Sequence, residues 1–293
     1  MKLLPSPSPA ARMVRGVTVV GTGVIGTSVA LALRRAGVRV RLTDRDPEAL
    51  AEAVRMGAGT ALPATEVRAD VVVVATPPST VATVLADAQR RDLGAVYTDV
   101  ASTKSRILAQ AEQAGCDLAT YVPGHPIAGH ELSGPTAAHA DMFDTRPWAL
   151  CPQPATAPQA LRAVATLVTL CGARPTILSA QAHDEVVAAV SHVPHLVSAA
   201  LAAHFAAADE HTLSLAGKGL HDTTRIALGA PALWRDILQH NAHPIAAVLD
   251  AIVRDLTEAA KALRSTDQDA LTDLLTRGNR GREHILDVLH PAP

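Results

Sequence analysis

A strand-like run, Val17–Val20, leads directly into Gly21-Thr22-Gly23-Val24-Ile25-Gly26, and an apolar helix-like segment from Val24 to Arg35 opens inside that glycine cluster. Strand, glycines and helix in this order suit one construction: Gly21 permits a tight turn, Gly23 lets the backbone approach a pyrophosphate, and Gly26 lets the helix pack closely on the strand. The first-turn amides of that helix, at Val24 and Ile25, would then face an anion. Asp44 closes the next apolar run, at about the ~20-residue offset expected of a carboxylate that accepts from a ribose. Together these residues predict a dinucleotide-binding half.

The pattern around the fingerprint supports that reading. Val17–Val20, Val38–Leu42, Val71–Ala75 and Val96–Val100 are β-branched runs separated by helix-like sequence, which predicts a mostly parallel sheet with right-handed crossovers. Further strands are expected at Ala119–Val122, Trp148–Cys151 and Thr176–Leu178, with a helix at Ala157–Cys171. Apolar residues make up 48% of the 293-residue chain but aromatics only 2%, so the core must be built from Ala, Val and Leu. After Ser179 the strand signal stops. Gln181–Ala208, Thr212–Leu228, Pro231–Gln239, Pro244–Leu263 and Asp267–Leu289 read as helices. The expected organisation is a disordered tail over residues 1–15, a Rossmann-type α/β domain over 16–179, and an all-α domain over 180–293.

A formal net charge of −2, with both signs scattered, leaves no basic footprint for nucleic acid or a membrane surface, so a small-molecule ligand is expected. Cys116, Cys151 and Cys171 lack the pairing of a disulfide framework or a zinc site and read as reduced thiols of a cytoplasmic protein. The Ser/Pro-rich start lacks the apolar stretch of a signal peptide, and charged residues or prolines interrupt every candidate membrane span.

Candidate ligand residues fall into clusters. Thr76 and Pro77 follow the strand beginning at Val71 and should line the nucleotide crevice. Asp44 favours NAD over NADP, because a carboxylate repels a 2′-phosphate; Arg45 beside it is either a 2′-phosphate partner or a solvated charge. Asp99-Val100-Ala101-Ser102-Thr103-Lys104 ends another strand, where Ser102 is a ligand contact or a helix cap and Lys104 by itself reads as a solvated charge. Gly124-His125-Pro126-Ile127-Ala128-Gly129 places His125 on a constrained loop. Ser191-His192-Val193-Pro194-His195 interrupts an apolar helix, where buried polar groups need partners. Metal binding by His183, Asp184, His192 and His195 is the rival reading, but the spacings match no zinc or iron pattern and no metal is expected. Arg225, in His221-Asp222-Thr223-Thr224-Arg225, is either a carboxylate clamp or a surface salt bridge.

In this order the clusters resemble the prephenate/arogenate dehydrogenases of tyrosine biosynthesis. The resemblance rests on Gly21–Gly26, Asp99–Lys104, His125–Gly129 with Glu131 and Ser133-Gly134-Pro135, Ser191–His195 and Asp222–Ala227, and spans nearly the whole chain from Val17. It implies a 6-phosphogluconate-dehydrogenase-like architecture, a homodimer formed through the helical domain, and NAD⁺-linked oxidative decarboxylation of a cyclohexadienol. His125 becomes the base for the ring hydroxyl, Ser102 its orienting partner beside the cofactor, and Ser191, His192, His195 and Arg225 the substrate contacts. His221 stands where the family commonly has Arg, and His130 where other residues are usual, so reading of the substrate side chain is open to change. With the chain ending at Pro293, no fused mutase or regulatory domain is expected. The 4-amino analogue of prephenate is an alternative substrate for the same residues. A β-hydroxyacid or imine reductase would need a helix-borne Lys in a context that Lys218 and Lys261 do not offer, and a non-catalytic NAD sensor would leave the loop at His125 unexplained.

Overall fold

The computed structural model describes residues 14–63, 68–129 and 133–289. Nine strands and twelve α-helices follow one another among them. The first half runs β1 (Gly16–Val20), α1 (Val24–Arg35), β2 (Arg39–Thr43), α2 (Pro47–Arg55), β3 (Thr60–Ala61), β4 (Ala69–Val74), α3 (Pro78–Arg90), β5 (Gly94–Asp99), α4 (Ser105–Gln113) and β6 (Tyr121–Val122). Strands β1 to β6 form one parallel sheet in the order β3-β2-β1-β4-β5-β6, with Val17 paired to both Val40 and Val71. The chain winds outward in one direction from β1 to β3 and in the other from β4 to β6, so the carboxyl ends of β1 and β4 open a crevice at the switch point. Both faces of the sheet are covered: Val17, Val19, Val71, Val72, Val73 and Val74 are fully buried, as continuous valine runs in a doubly covered parallel sheet require.

The expected tail lies mostly outside the described residues, but its end is fixed. Val14 is buried, and the Arg15 amide donates to Asp70 Oδ2 at 2.7 Å.

Four expectations differ from the fold. The strands foreseen near Trp148 and Thr176 do not extend the main sheet. With β7 (Gly124–Pro126), β8 (Pro147–Leu150) and β9 (Arg174–Ile177) make a second sheet, β7-β8-β9, whose first pair is antiparallel and second parallel; α5 (Pro158–Leu170) links β8 to β9. His125, expected on a loop, occupies the middle of β7 opposite Ala149. A Gly-His-Pro triplet has no strand pattern of its own; its pairing comes from residues more than twenty positions away.

Nor is the segment after Ser179 one helix. It runs as α6 (Ala180–Val187), a π-turn over Ala188–His192, and α7 (Val193–Ala203). Pro194 has no N–H to give, and its ring collides with the carbonyl four residues back, so the ladder widens there by one residue. By length and composition alone Ala180–Ala203 is long and apolar enough to cross a membrane, with a mean hydropathy of 1.7 over its most apolar window, although His183, Asp184, Glu185, His192, Pro194 and His195 interrupt it. It nevertheless buries His183, Asp184, His192 and His195. The expected helix Thr212–Leu228 is likewise divided into α8 (Glu210–Ser214), α9 (Lys218–Thr224) and a 3-10 turn at Arg225–Leu228, interrupted around Gly217. Helix α10 (Pro231–His240) follows.

The chain divides into two compact units, to Ala242 and from His243. The second consists of α11 (Ala242–Ser265) and α12 (Gln268–Leu289), turned about Thr266 at φ 54°. Arg277 on α12 pairs with Asp255 on α11 at 3.1 Å.

The glycines of the first turn are not equivalent. A Cβ on Gly26 would lie 2.0 Å from Gly21 O and 2.9 Å from Ala75 Cβ, whereas one on Gly23 would meet nothing within 4 Å. Gly26→Ala should therefore destabilise the fold by about 1–3 kcal/mol. Gly23→Ala should change stability by less than about 0.5 kcal/mol. Urea denaturation of the two variants checks the contrast.

Candidate active site

The crevice at the carboxyl ends of β1 and β4 has the form of a nucleotide cradle. Gly21 has φ +103°, and a Cβ there would sit 2.3 Å from Ala75 O, so backbone meets backbone across the switch point. Thr76 Cγ2 is the next neighbour at 3.3 Å, and Pro77 caps α3 on the same rim. Among the described residues, no side chain satisfies the first-turn amides of Val24 and Ile25 where Gly23 caps α1, and nothing lies within 4 Å of a Cβ built on Gly23. Donors and room for a pyrophosphate thus coincide, so the residues present fit a dinucleotide. Asp44 is tied to the same turn: its Oδ2 accepts from Thr22 N at 2.5 Å and Thr22 Oγ1 at 2.9 Å, and its Oδ1 accepts from Asp46 N at 2.9 Å. Arg45 beside it is exposed.

Below the loop after β5 lies a buried polar knot. Lys104, read from sequence as a solvated charge, has no exposed surface; neither has Asp99, its ion-pair partner. The Lys104 ammonium also donates to Gly124 O at 2.7 Å, and Asp99 accepts from Tyr121 Oη at 2.6 Å and from Ala101 N at 2.9 Å. The loop carrying half-buried Ser102 is therefore fastened to β6 and to the backbone just before His125. Burial, then the Asp99 charge, pushes the Tyr121 phenol well above its ordinary pKa, so it stays a donor. At the other end of this stretch, a Cβ on Gly129 would lie 3.7 Å from Ile25 Cδ1, which brings the segment after His125 against the fingerprint helix.

His125 is half-buried and belongs to a chain of imidazoles. Its Nδ1 is 2.8 Å from His183 Nε2, and His183 Nδ1 is 2.8 Å from Asp184 Oδ1. Burial, with His183, Lys104 and His192 nearby, holds the His125 pKa well below the ordinary 6.5, so the ring is neutral near pH 7. Burial would raise the Asp184 pKa, but hydrogen bonds from His183, Ser105 and Lys104 more than offset it and keep the carboxylate ionised. Asn241 Nδ2 ties two helices together, bonding Asp184 O at 2.8 Å and lying 3.2 Å from His192 Nδ1. His192 Nε2 is buried with no hydrogen-bond partner among the described residues, a group set to receive one. His195 stacks on Trp234 with centroids 3.4 Å apart, beside an apolar cavity of about 450 Å³ lined also by Leu196, Gly229 and Leu238.

The sequence-derived candidates thus divide. His125, His192 and His195 are joined to the loop carrying Ser102 through one contact network: His125 to His183, Asp184 to Lys104 N, Asn241 to Asp184 and His192, and Trp234 to His192 and His195. Ser191 is exposed on the π-turn. Arg225 is exposed at the head of the 3-10 turn, two residues beyond Thr223, whose carbonyl accepts from Ser198 Oγ of α7 at 2.7 Å. Glu131 and His130 lie outside the described residues. Tyr121, Trp234 and Asn241 escaped the sequence reading, since no local pattern marks them, and Asp99 was read only as part of its cluster. His183 and Asp184 were read only as possible metal ligands, although their place in an apolar helix did signal buried polar partners.

A nucleotide cradle beside a polar pocket of titratable groups, with helices following the sheet, defines an NAD-linked dehydrogenase of the Rossmann-plus-helical type. The model of the prephenate dehydrogenase nucleotide-binding domain matches residues 29–177, and that of the prephenate dehydrogenase dimerization domain matches 179–277. The chain belongs to the prephenate dehydrogenase family. It is 41% identical to the probable prephenate dehydrogenase NovF of Streptomyces niveus, over 85% of this chain and 69% of that protein. Among solved structures it is similar to prephenate dehydrogenase of A. aeolicus in complex with hydroxyphenyl propionate and NAD⁺, with a TM-score of 0.82 and 26% identity, over 92% of this chain and 98% of the other. Arogenate dehydrogenase of Synechocystis is 28% identical, with a TM-score of 0.73, over 92% and 99% of the two chains.

Burial lowers the His192 pKa from 6.5 to about 4, with His183 and His195 adding to the effect and Asp184 opposing it. Below pH ~6.5 the unfolded chain takes up a proton that the folded chain refuses until about pH 4, so stability falls as pH drops through that window. The loss should amount to about 3 kcal/mol. Urea denaturation between pH 7 and 4 checks this, and His192→Asn should reduce the dependence, leaving the part that His125 contributes in the same direction.

Proposed function

We propose that this protein oxidises and decarboxylates prephenate or arogenate with NAD⁺, His125 acting as base for the ring hydroxyl. The observation that carries the reading is His125 itself: a neutral, half-buried imidazole on a strand whose following segment passes beside Ile25 of the fingerprint helix. A bound nicotinamide supplies the hydride acceptor. Around it, His125 withdraws the hydroxyl proton as the carbinol hydride leaves, and Ser102 orients that hydroxyl. Loss of CO₂ from the ring carboxylate then makes the ring aromatic, which supplies a large driving force. What the protein must contribute is therefore a base, orientation and a clamp.

His192, with its unpartnered Nε2, and His195, held flat on Trp234, contact the substrate, and Ser191 lies beside them in sequence. Arg225 clamps a substrate carboxylate. Gly21, Gly23, Val24, Ile25, Gly26, Thr76 and Pro77 hold the dinucleotide, and Asp44 accepts from its adenosine ribose, which favours NAD over NADP. The boundary between the nucleotide and helical domains falls at residues 179–180.

Two copies associate through the helical half. The match to a dimerization domain supports this, as do the exposed apolar side chains Leu256, Leu263, Leu275 and Val288 on α11 and α12. Three unbridged cysteines, two of them buried, support a cytoplasmic location.

Initial rates of NADH formation with prephenate and with arogenate test the reading, and NADP⁺ should give at least ~10-fold lower kcat/KM. Absence of turnover with both substrates would overturn it. His125→Asn should lower kcat about 10²–10⁴-fold. Arg225→Ala should chiefly raise KM, about 10–100-fold; an unchanged KM would remove it from the clamp.

A further inference from the structure

We propose that His183 and Asp184 are positioning residues for His125: they hold its imidazole in the tautomer protonated on Nδ1 and leave Nε2 as the atom that receives the substrate's proton. The proposal rests on the reading of His125 as the base.

Backbone donors fix both carboxylate oxygens of Asp184. Oδ1 accepts from Lys104 N and Oδ2 from Ser105 N, each at 2.8 Å, so the carboxylate is pinned at the start of α4. The Asp184 carbonyl is held in turn by Asn241 Nδ2. An ionised carboxylate only accepts, so the 2.8 Å contact to His183 Nδ1 requires a proton on that nitrogen. In the proposed chain His183 then presents Nε2 as an acceptor. His125 Nδ1 lies 2.8 Å from it and must be the donor, which leaves the lone pair on His125 Nε2. The two rings meet edge to face, with centroids 5.0 Å apart and planes at 71°, so the geometry suits one nitrogen addressing the other.

His183 and Asp184 are only 1% and 3% exposed, which isolates these bonds from bulk water. The arrangement does two things. It fixes the orientation of a ring that is otherwise free to flip, and it aims one nitrogen at the pocket. When Nε2 takes the hydroxyl proton, His125 becomes cationic. Its Nδ1–H stays bonded to His183, whose own Nδ1–H stays bonded to the Asp184 carboxylate. The negative charge thus stabilises the new cation through two hydrogen bonds, and no proton travels along the chain. The other groups near His125 do not replace this link: Lys104 is already paired with Asp99, and His192 faces Asn241.

The test is nitrogen NMR on the full chain labelled with ¹⁵N-histidine, together with kinetics, for the wild type, His183→Leu and His183→Gln. The wild-type His125 should show a protonated Nδ1. His183→Leu removes the acceptor, so the ring should populate both tautomers and kcat should fall roughly 10- to 1,000-fold with KM changed less than about threefold. His183→Gln offers a carbonyl oxygen near the lost Nε2 and should restore the tautomer and most of kcat. NAD⁺-dependent thermal shifts confirm that both variants fold, and a merely structural role would move melting temperature without moving the tautomer. A wild-type His125 protonated on Nε2 overturns the proposal, as does undiminished kcat in His183→Leu. Normal turnover by His125→Asn overturns the base reading instead, and is told apart because the wild-type signal then still reports Nδ1–H.

Discussion

The buried ion pair between Lys104 and Asp99 is the constraint on which the pocket depends. Two charges without solvent access are costly unless they are paired and hydrogen-bonded, and here they are: the ammonium also reaches Gly124 O, and the carboxylate also takes Tyr121 Oη and Ala101 N. The knot joins the end of β5, the loop carrying Ser102, β6, and the first residue of β7. It cannot be dismantled piecemeal, because removing either charge strands the other in the core. His125 follows Gly124 directly, so its backbone is placed by an interaction it takes no part in. The backbone amide of Lys104 meanwhile holds Asp184, which draws α6 onto the same loop.

That arrangement also sets the electrostatics. His125 and His192 share a crowded, partly dry space where burial disfavours the charged form of either. A neutral imidazole near pH 7 is what a base for a hydroxyl proton needs. The same desolvation that costs acid stability at His192 leaves its Nε2 available to a ligand, so one cost of folding is tied to recognition. Nearby, the π-turn forced by Pro194 shifts His192 and His195 relative to α6, and a regular helix through this stretch would set both rings on different bearings.

Much of this was legible in the chain, for identifiable reasons. The glycine fingerprint and Asp44 are local signals: each residue's role follows from its own conformation or its distance along the sequence from the turn. Valine runs and helical periodicity are local too, and they yield the doubly covered sheet and most helices. His125, His192, His195 and Arg225 stand out because polar residues interrupt glycine-rich or apolar sequence. What the sequence determined by itself was therefore the nucleotide-binding architecture, the identity of the polar clusters and their resemblance to one family of dehydrogenases. Only the tertiary structure decided that Lys104 is buried, that His125 lies on a strand, that Trp148 and Thr176 belong to a second sheet, and that His183 and Asp184 address His125. Each of those depends on partners tens of residues away, and no periodicity records which side of a loop a distant carboxylate will approach.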